Sequence, residues 1–200
     1  MEKPGPETSI LLEFVKKLRP KKTLEVGCNH GRELILLKNL TRIYGLDKNL
    51  EQVRLARKNL GVKRVKVGTA EKLPYLNNCF DLVYTDGLLC HNENVSKILD
   101  ELLRVSKKYV LNIEYVGTRL GPTGFGNCKK NTWVHDYEKL WATKDVQVCF
   151  NRKIVFGTDM FHVILVKKLR KTEKIIKSEK EVFCLKFWKF KFKLVKDDAV

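Results

Sequence analysis

The stretch TLEVGCNHGRELILL, residues 23–37, puts an acid, Glu25, at the end of an apolar run. Two glycines, Gly27 and Gly31, follow four residues apart, before a run with helical apolar spacing. A strand that feeds a glycine turn and then a helix aims backbone N–H groups at a ligand and lets the chain approach it closely. A pyrophosphate held against the helix start calls for three glycines, as G-x-G-x-x-G. Here Asn29 stands where the middle glycine would be. Glu25 suits an amino group better than a phosphate. Asp47, 20 residues after Gly27, can accept from both hydroxyls of a ribose. Asp47 alone would suit a nicotinamide dinucleotide equally well, so Glu25 and the absent glycine are the discriminating features.

The segments E-V-G-C-N-x-G, Asp47, GTAEKLP and FDLVYTDGLLCH, in that order, resemble the S-adenosylmethionine-binding motifs of class I methyltransferases. Within that superfamily, EVGCN, FDLVYTDGLLCH and ELLRVSKKYVLNIEY are most similar to methyltransferases associated with pseudaminic acid biosynthesis. The resemblance implies S-adenosylmethionine as cofactor. Glu25 would orient the methionine amino group, Gly27 and Gly31 would admit the methionine and ribose, and Asp47 would clamp the ribose hydroxyls. Cys28 and Asn29 in the turn and Lys48 beside Asp47 join that set. Thr69, Ala70 and Glu71 align with the adenine-contacting loop, where Thr69 replaces a usual acid and Ala70 offers its N–H. Thr85 would end the fourth strand beside the methionine.

The implied reaction is an in-line displacement at a sulfonium methyl, in which proximity and alignment do most of the work. A general base is needed only if the nucleophile must lose a proton. The candidates are Asp86, His91, Glu114 and His135. Each has a plainer reading: Asp86 as a helix cap, His91 as pocket lining, Glu114 as partner of an arginine such as Arg119, and His135 as a cap beside Asp136. Thr85-Asp86-Gly87-Leu88 lacks the Pro-Pro-aromatic block of amino-directed nucleic-acid methyltransferases, and no proline–cysteine nucleophile follows. A small-molecule acceptor, such as a sugar or sugar-nucleotide hydroxyl, is therefore expected. RNA is the alternative acceptor, and a non-catalytic binding module with a degenerate cofactor site is a reading of another class.

The elements that must position these residues alternate. Helical spacing covers Ser9–Leu18, residues 31–39, Leu50–Asn59 and Val95–Val105. Strands are expected at Thr23–Val26, Arg42–Leu46, Val62–Val67, Phe80–Thr85 and Lys108–Glu114. After a Gly/Pro/Lys loop over 118–132, read as a lid, come a helix over Val134–Thr143 and strands at Val146–Phe150 and Phe161–Val166. Those last two strands, with no helix between them, should pair antiparallel. The expected fold class is α/β: a Rossmann-like, mostly parallel seven-stranded sheet with that antiparallel pair at its C-terminal end and helices on both faces. Trp133, Tyr137 and Trp141 recur at helical spacing and are expected to pack in the core.

The methyltransferase domain is expected over residues 1–169, with a basic, aromatic-rich extension over 170–200. The chain of 200 residues carries a net charge of +17. Residues 167–200 hold twelve Lys/Arg against five Asp/Glu, and KFWKFKFKLVK interleaves aromatics with lysines. That composition suits RNA or an anionic lipid surface, or else a half-buried strand with its lysines in water. The six cysteines include no C-x-x-C pair, so reduced thiols and no metal site are expected. MEKPGPETS lacks an apolar signal core and no run is long enough to span a membrane, so the expected location is cytoplasmic.

Overall fold

A computed structural model of the chain describes residues 6–61, 63–118, 133, 135–156 and 159–169. Seven strands form one sheet in the order β3-β2-β1-β4-β5-β7-β6. They are β1 (Lys22–Val26), β2 (Arg42–Asp47), β3 (Val65–Val67), β4 (Phe80–Asp86), β5 (Ser106–Thr118), β6 (Val146–Phe156) and β7 (Asp159–Lys168). The first five strands are parallel, while β7 pairs antiparallel with both β5 and β6. The expected sheet is present, and its last strand is inserted between its two predecessors.

Helices cover both faces. α1 (Pro6–Leu18), α2 (Arg32–Leu37) and α3 (Leu50–Leu60) share one core with Ile43, Leu82, Leu111 and Leu165. α4 (Val95–Val105) and α5 (Tyr137–Ala142) share the other with Leu24, Val83, Val110 and Ile164. Alternation along each strand sends neighbouring residues to opposite cores, so the central strands must be apolar throughout. α4 buries Val95, Ile98, Leu99, Leu102 and Val105, the i, i+3, i+4, i+7 stripe that its sequence spells. α3 begins at Asn49, whose side chain accepts from the N–H groups of Glu51 and Gln52.

Several expected boundaries move; β5, expected over Lys108–Glu114, runs from Ser106 to Thr118. β3 is confined to Val65–Val67. The Val134–Thr143 helix shortens to Tyr137–Ala142, beginning where the Asp136 side chain accepts from the N–H of Lys139. β6 runs six residues further than expected, because NRKIVF pairs with Asp159–Ile164 of β7 despite its charges. Tyr137 and Trp141 are buried as expected, whereas Trp133 is 36% exposed. Of the expected lid over 118–132 only Thr118 is described, as the end of β5, and the rest of it and the extension over 170–200 lie outside the described residues. Among the described residues, no helix is long and apolar enough to cross a membrane, no His/Cys/Asp/Glu group could hold a metal ion, and Cys28, Cys79, Cys90 and Cys149 are free thiols.

Candidate functional site

A cleft of about 840 Å³ opens across the C-terminal ends of β1 to β4, the edge at which open parallel sheets bind ligands. Its walls are the turns that leave those strands. Of the expected cofactor residues, Glu25, Gly27, Asn29, Asp47, Lys48, Thr69, Ala70 and Glu71 line it, and so do Asp86 and His91 from the base candidates.

The first turn is built differently from the expectation of free N–H donors. The N–H groups of Gly27 and Cys28 both donate to the Leu46 carbonyl, at 2.7 and 3.0 Å, and the N–H of Gly31 donates to the Cys28 carbonyl at 2.8 Å. The N–H of Asn29 donates to Asp47 Oδ2 at 2.8 Å, and that of Asn49 donates to Asp47 Oδ1 at 2.8 Å. Three of the first turn's donors thus go to β2, and that of Gly31 closes the turn on itself. Asp47 ties the two turns together while its remaining lone pairs face the cleft. Gly27 has a φ of +82°, and a Cβ there would meet Leu88 Cδ1 at 2.9 Å, so only glycine keeps the strand end this close to the turn after β4.

Cys28, Gly31 and Thr85 do not line the cleft. Cys28 is 1% exposed and belongs to the core under α2, where its Sγ is the nearest atom to a Cβ placed at Gly45. Gly31 caps α2, and a Cβ there would meet Leu60 and Ala56 of α3 at 3.1 and 3.3 Å, so its bare Cα lets the two helices pack. Thr85 is fully buried, and its hydroxyl donates to Glu114 Oε1 at 2.6 Å.

Glu114, read as a candidate base or the partner of an arginine, is 0% exposed and acts as an internal clamp. Its Oε2 accepts from the N–H of Leu89 at 2.8 Å. The amide of Asn112 donates to Thr85 Oγ1 at 2.7 Å, and Trp141 Nε1 donates to Asn112 Oδ1 at 3.1 Å. A buried chain of hydrogen bonds therefore runs from α5 through β5 and β4 to the short 3-10 turn Leu89–His91, which carries His91 to the cleft. Burial pushes the Glu114 carboxyl up to about 7, against hydrogen bonds that favour its ionised form. His135 donates from Nε2 to the Asn92 carbonyl at 2.9 Å, which commits that nitrogen to holding the same turn.

The inner wall is acidic. Glu25 is 2% exposed, and its Oε2 has no hydrogen-bond partner. Burial, and then the neighbouring Glu33 carboxylate, push the Glu25 carboxyl well above the usual range. The Tyr84 hydroxyl lies near it without hydrogen-bond geometry. Asp86 Oδ2 is likewise buried and unpartnered, and burial followed by Glu33 and Glu114 pushes that carboxyl up to about 8. Glu33 is paired: Arg32 Nε lies 2.6 Å from its Oε1, and the same guanidinium reaches Glu7 of α1 at 3.0 Å. The residue pattern did not single out Arg32 and Glu33. The available signal was an acid at a core-facing position of α2, next to buried Leu34 and Leu37.

Residues 24–110 match the family described as a methyltransferase domain. The chain is 30% identical over 115 residues, 54% of its length, to a malonyl-[acyl-carrier protein] O-methyltransferase of Legionella pneumophila, and the match spans 39% of that relative. It thus covers well under half of the curated relative. In fold it is similar to magnesium protoporphyrin IX methyltransferase from Synechocystis with SAH bound, with a TM-score of 0.67, 15% identity and coverage of 82% of each chain. It is also similar to a SAM-dependent methyltransferase from Aquifex aeolicus, with a TM-score of 0.62, 23% identity and coverage of 80% of this chain and 89% of that one.

S-adenosylmethionine is the cofactor that the resemblance in sequence implies, and the lining of the cleft suits it. A ligand with two positive centres would meet two buried carboxyl oxygens that lack partners, and a ribose would meet Asp47.

Proposed function

We propose that this protein binds S-adenosylmethionine in the cleft and transfers its methyl group to a hydroxyl of a small-molecule acceptor. The observation that carries the reading is the pair of unpartnered buried oxygens, Glu25 Oε2 and Asp86 Oδ2, facing one cleft. Buried carboxylates without partners are costly, and a cationic ligand removes the cost. When bound, the cofactor supplies an electrophilic methyl on a positively charged sulfur.

The chain supplies position and a proton acceptor. Glu25 would receive the ammonium group, Asp47 the ribose hydroxyls, and Thr69, Ala70 and Glu71 the adenine. Leu88, packed against Gly27, closes the wall between the turns after β1 and β4. Asp86, a carboxyl pushed up to about 8 without ligand, would be ionised by the cationic cofactor beside it and would then take the acceptor's proton. His91, exposed on the same lip, would line the acceptor's entrance. Likeness of EVGCN and FDLVYTDGLLCH to sugar-pathway methyltransferases supports a sugar or sugar-nucleotide hydroxyl as acceptor.

Calorimetry with S-adenosylmethionine tests the binding step: saturable binding that Asp47→Ala reduces at least tenfold is expected, and absence of binding to the folded wild-type chain overturns it. A labelled-methyl transfer screen over small-molecule extracts and total RNA then identifies the acceptor, with label in RNA alone refuting the small-molecule reading.

A further inference from the structure

The cleft is acidic although the chain is strongly basic, so the excess positive charge must sit elsewhere. Most cations with a defined partner are neutralised locally: Arg32, Arg54, Arg104, Lys139 and Lys144 all form ion pairs. Many other lysines and arginines form none among the described residues, and six of these, Arg42, Arg57, Lys58, Lys63, Arg64 and Lys66, lie on or beside the open edge of the sheet formed by β3.

Their arrangement is specific. Arg57, Lys58, Gly61 and Lys63 line a groove of about 540 Å³ where α3 turns into β3. Arg57 Nε donates to the Val65 carbonyl at 2.8 Å and Arg64 Nε to the Ile43 carbonyl at 3.1 Å, which fixes both side chains on the edge. The guanidinium carbons of Arg42 and Arg64 each lie 5.8 Å from the centre of the Tyr44 ring. Lys66 Nζ lies 4.9 Å from the centre of the Tyr75 ring. Five of the six are exposed, and Arg64 is half-buried. The strip also leads somewhere: β3 ends at Val67, and the next residues, Gly68 to Glu71, form a lip of the cleft.

We propose that the β3 edge is a docking strip for single-stranded RNA. Cations in a row, some held against aromatic rings, satisfy both needs of single-strand binding, phosphate neutralisation and planar surfaces for bases. The groove is concave, which admits a strand and suits a flat lipid surface poorly. Three residues of β3 span about 10 Å, room for a few nucleotides but not for a duplex face. Edge strands also use lysine and arginine merely to deter pairing with other chains. That role accounts for the two arginines bonded to strand carbonyls and leaves the three lysines and the groove without a purpose. The inference goes beyond methyl transfer and does not depend on it.

The test uses the full chain without cofactor. Anisotropy of a labelled single-stranded RNA of about 12 nucleotides is measured across a salt series for wild type, for Lys58→Glu/Lys63→Glu/Lys66→Glu, and for Lys107→Glu/Lys108→Glu/Lys153→Glu, whose lysines are exposed elsewhere. The two variants change net charge equally, so the basic C-terminal segment contributes equally to both. Each lost contact removes about 0.7 from the slope of log K against log salt. The strip variant should therefore lose about 2 units of slope and bind about a hundredfold more weakly at 0.1 M salt, with the control near wild type. A Lys→Gln triple at the strip gives the same ranking should charge reversal impair folding, which circular dichroism reports. Equal weakening in strip and control variants, no RNA binding, or binding to phosphatidylserine vesicles in place of RNA would each overturn the proposal. Calorimetry with S-adenosylmethionine on the strip variant should match wild type, separating this outcome from failure of the cofactor reading.

Discussion

Asp86→Asn should stabilise the protein, by an amount that depends on pH. In the unfolded chain an aspartate titrates near 3.9, whereas burial and the Glu33 and Glu114 carboxylates raise this one to about 8 in the fold. Between those values the native state holds a proton that the unfolded state has released. Native stability therefore falls as pH rises from about 4 to about 8 and levels off above. One unit of pKa difference is worth about 1.36 kcal/mol. The ceiling is thus about 1.4 kcal/mol lost per pH unit and on the order of 5 kcal/mol across the window, less whatever local relaxation recovers. Asparagine keeps the shape and cannot ionise, so it should remove this slope. Urea unfolding of wild type and Asp86→Asn at pH 5, 6, 7 and 8 should give curves that diverge by about 1 kcal/mol per pH unit, the variant being the more stable at pH 8. Parallel curves would refute the raised carboxyl and with it the base role given to Asp86. A saturating cationic ligand should bring the carboxyl down again. S-adenosylmethionine should thus stabilise wild type more at pH 8 than at pH 6, and Asp86→Asn should lose that difference.

Other perturbations read separate parts of the site. Asp47→Ala leaves the N–H groups of Asn29 and Asn49 without their acceptor, so thermal unfolding should show a loss of about 1–3 kcal/mol alongside the lost cofactor affinity. Gly27→Ala puts a methyl group 2.9 Å from Leu88 Cδ1 at a positive φ, and a destabilisation of about 1–3 kcal/mol with weakened cofactor binding should appear in the same assays. Trp141→Phe unpairs Asn112 Oδ1 in the core, which should cost about 1–3 kcal/mol. If this chain of hydrogen bonds positions the turn bearing His91, Trp141→Phe and Glu114→Gln should both lower turnover more than cofactor affinity.

The alternation of helices and strands was legible because both follow apolar period, and α4 falls on the residues its stripe marks. The ends were less legible, for physical reasons. NRKIVF reads as a loop until β7 is there to pair with it, and the short β3 is decided by what pairs with β2 rather than by its own residues. In the site, Glu25 and Asp47 stood out because acids at strand ends are rare without a purpose. Glu33 was hidden among the leucines of α2, and its role depends on Arg32 and on Glu7 from α1, 26 residues earlier. Glu114 was legible as an important acid but not as a clamp. Its partners, Thr85 and the N–H of Leu89, lie on another strand and the turn beyond it, a meeting that only the β4–β5 pairing brings about.

The position of β7 between β5 and β6 has a consequence for how the molecule is made. A chain leaving the ribosome can assemble β1 to β5 and the cleft in order, but the flank of β5 stays open until residue 168 has emerged. Until then Val110, Ile113 and Glu114 have no strand on the side away from β4, and β6, already synthesised, has nowhere to dock. The final strand acts as a wedge driven between two waiting neighbours, and this non-local step should be the slow one. A nascent or truncated chain that stops before Asp159 would carry a nearly finished cleft on an unfinished sheet.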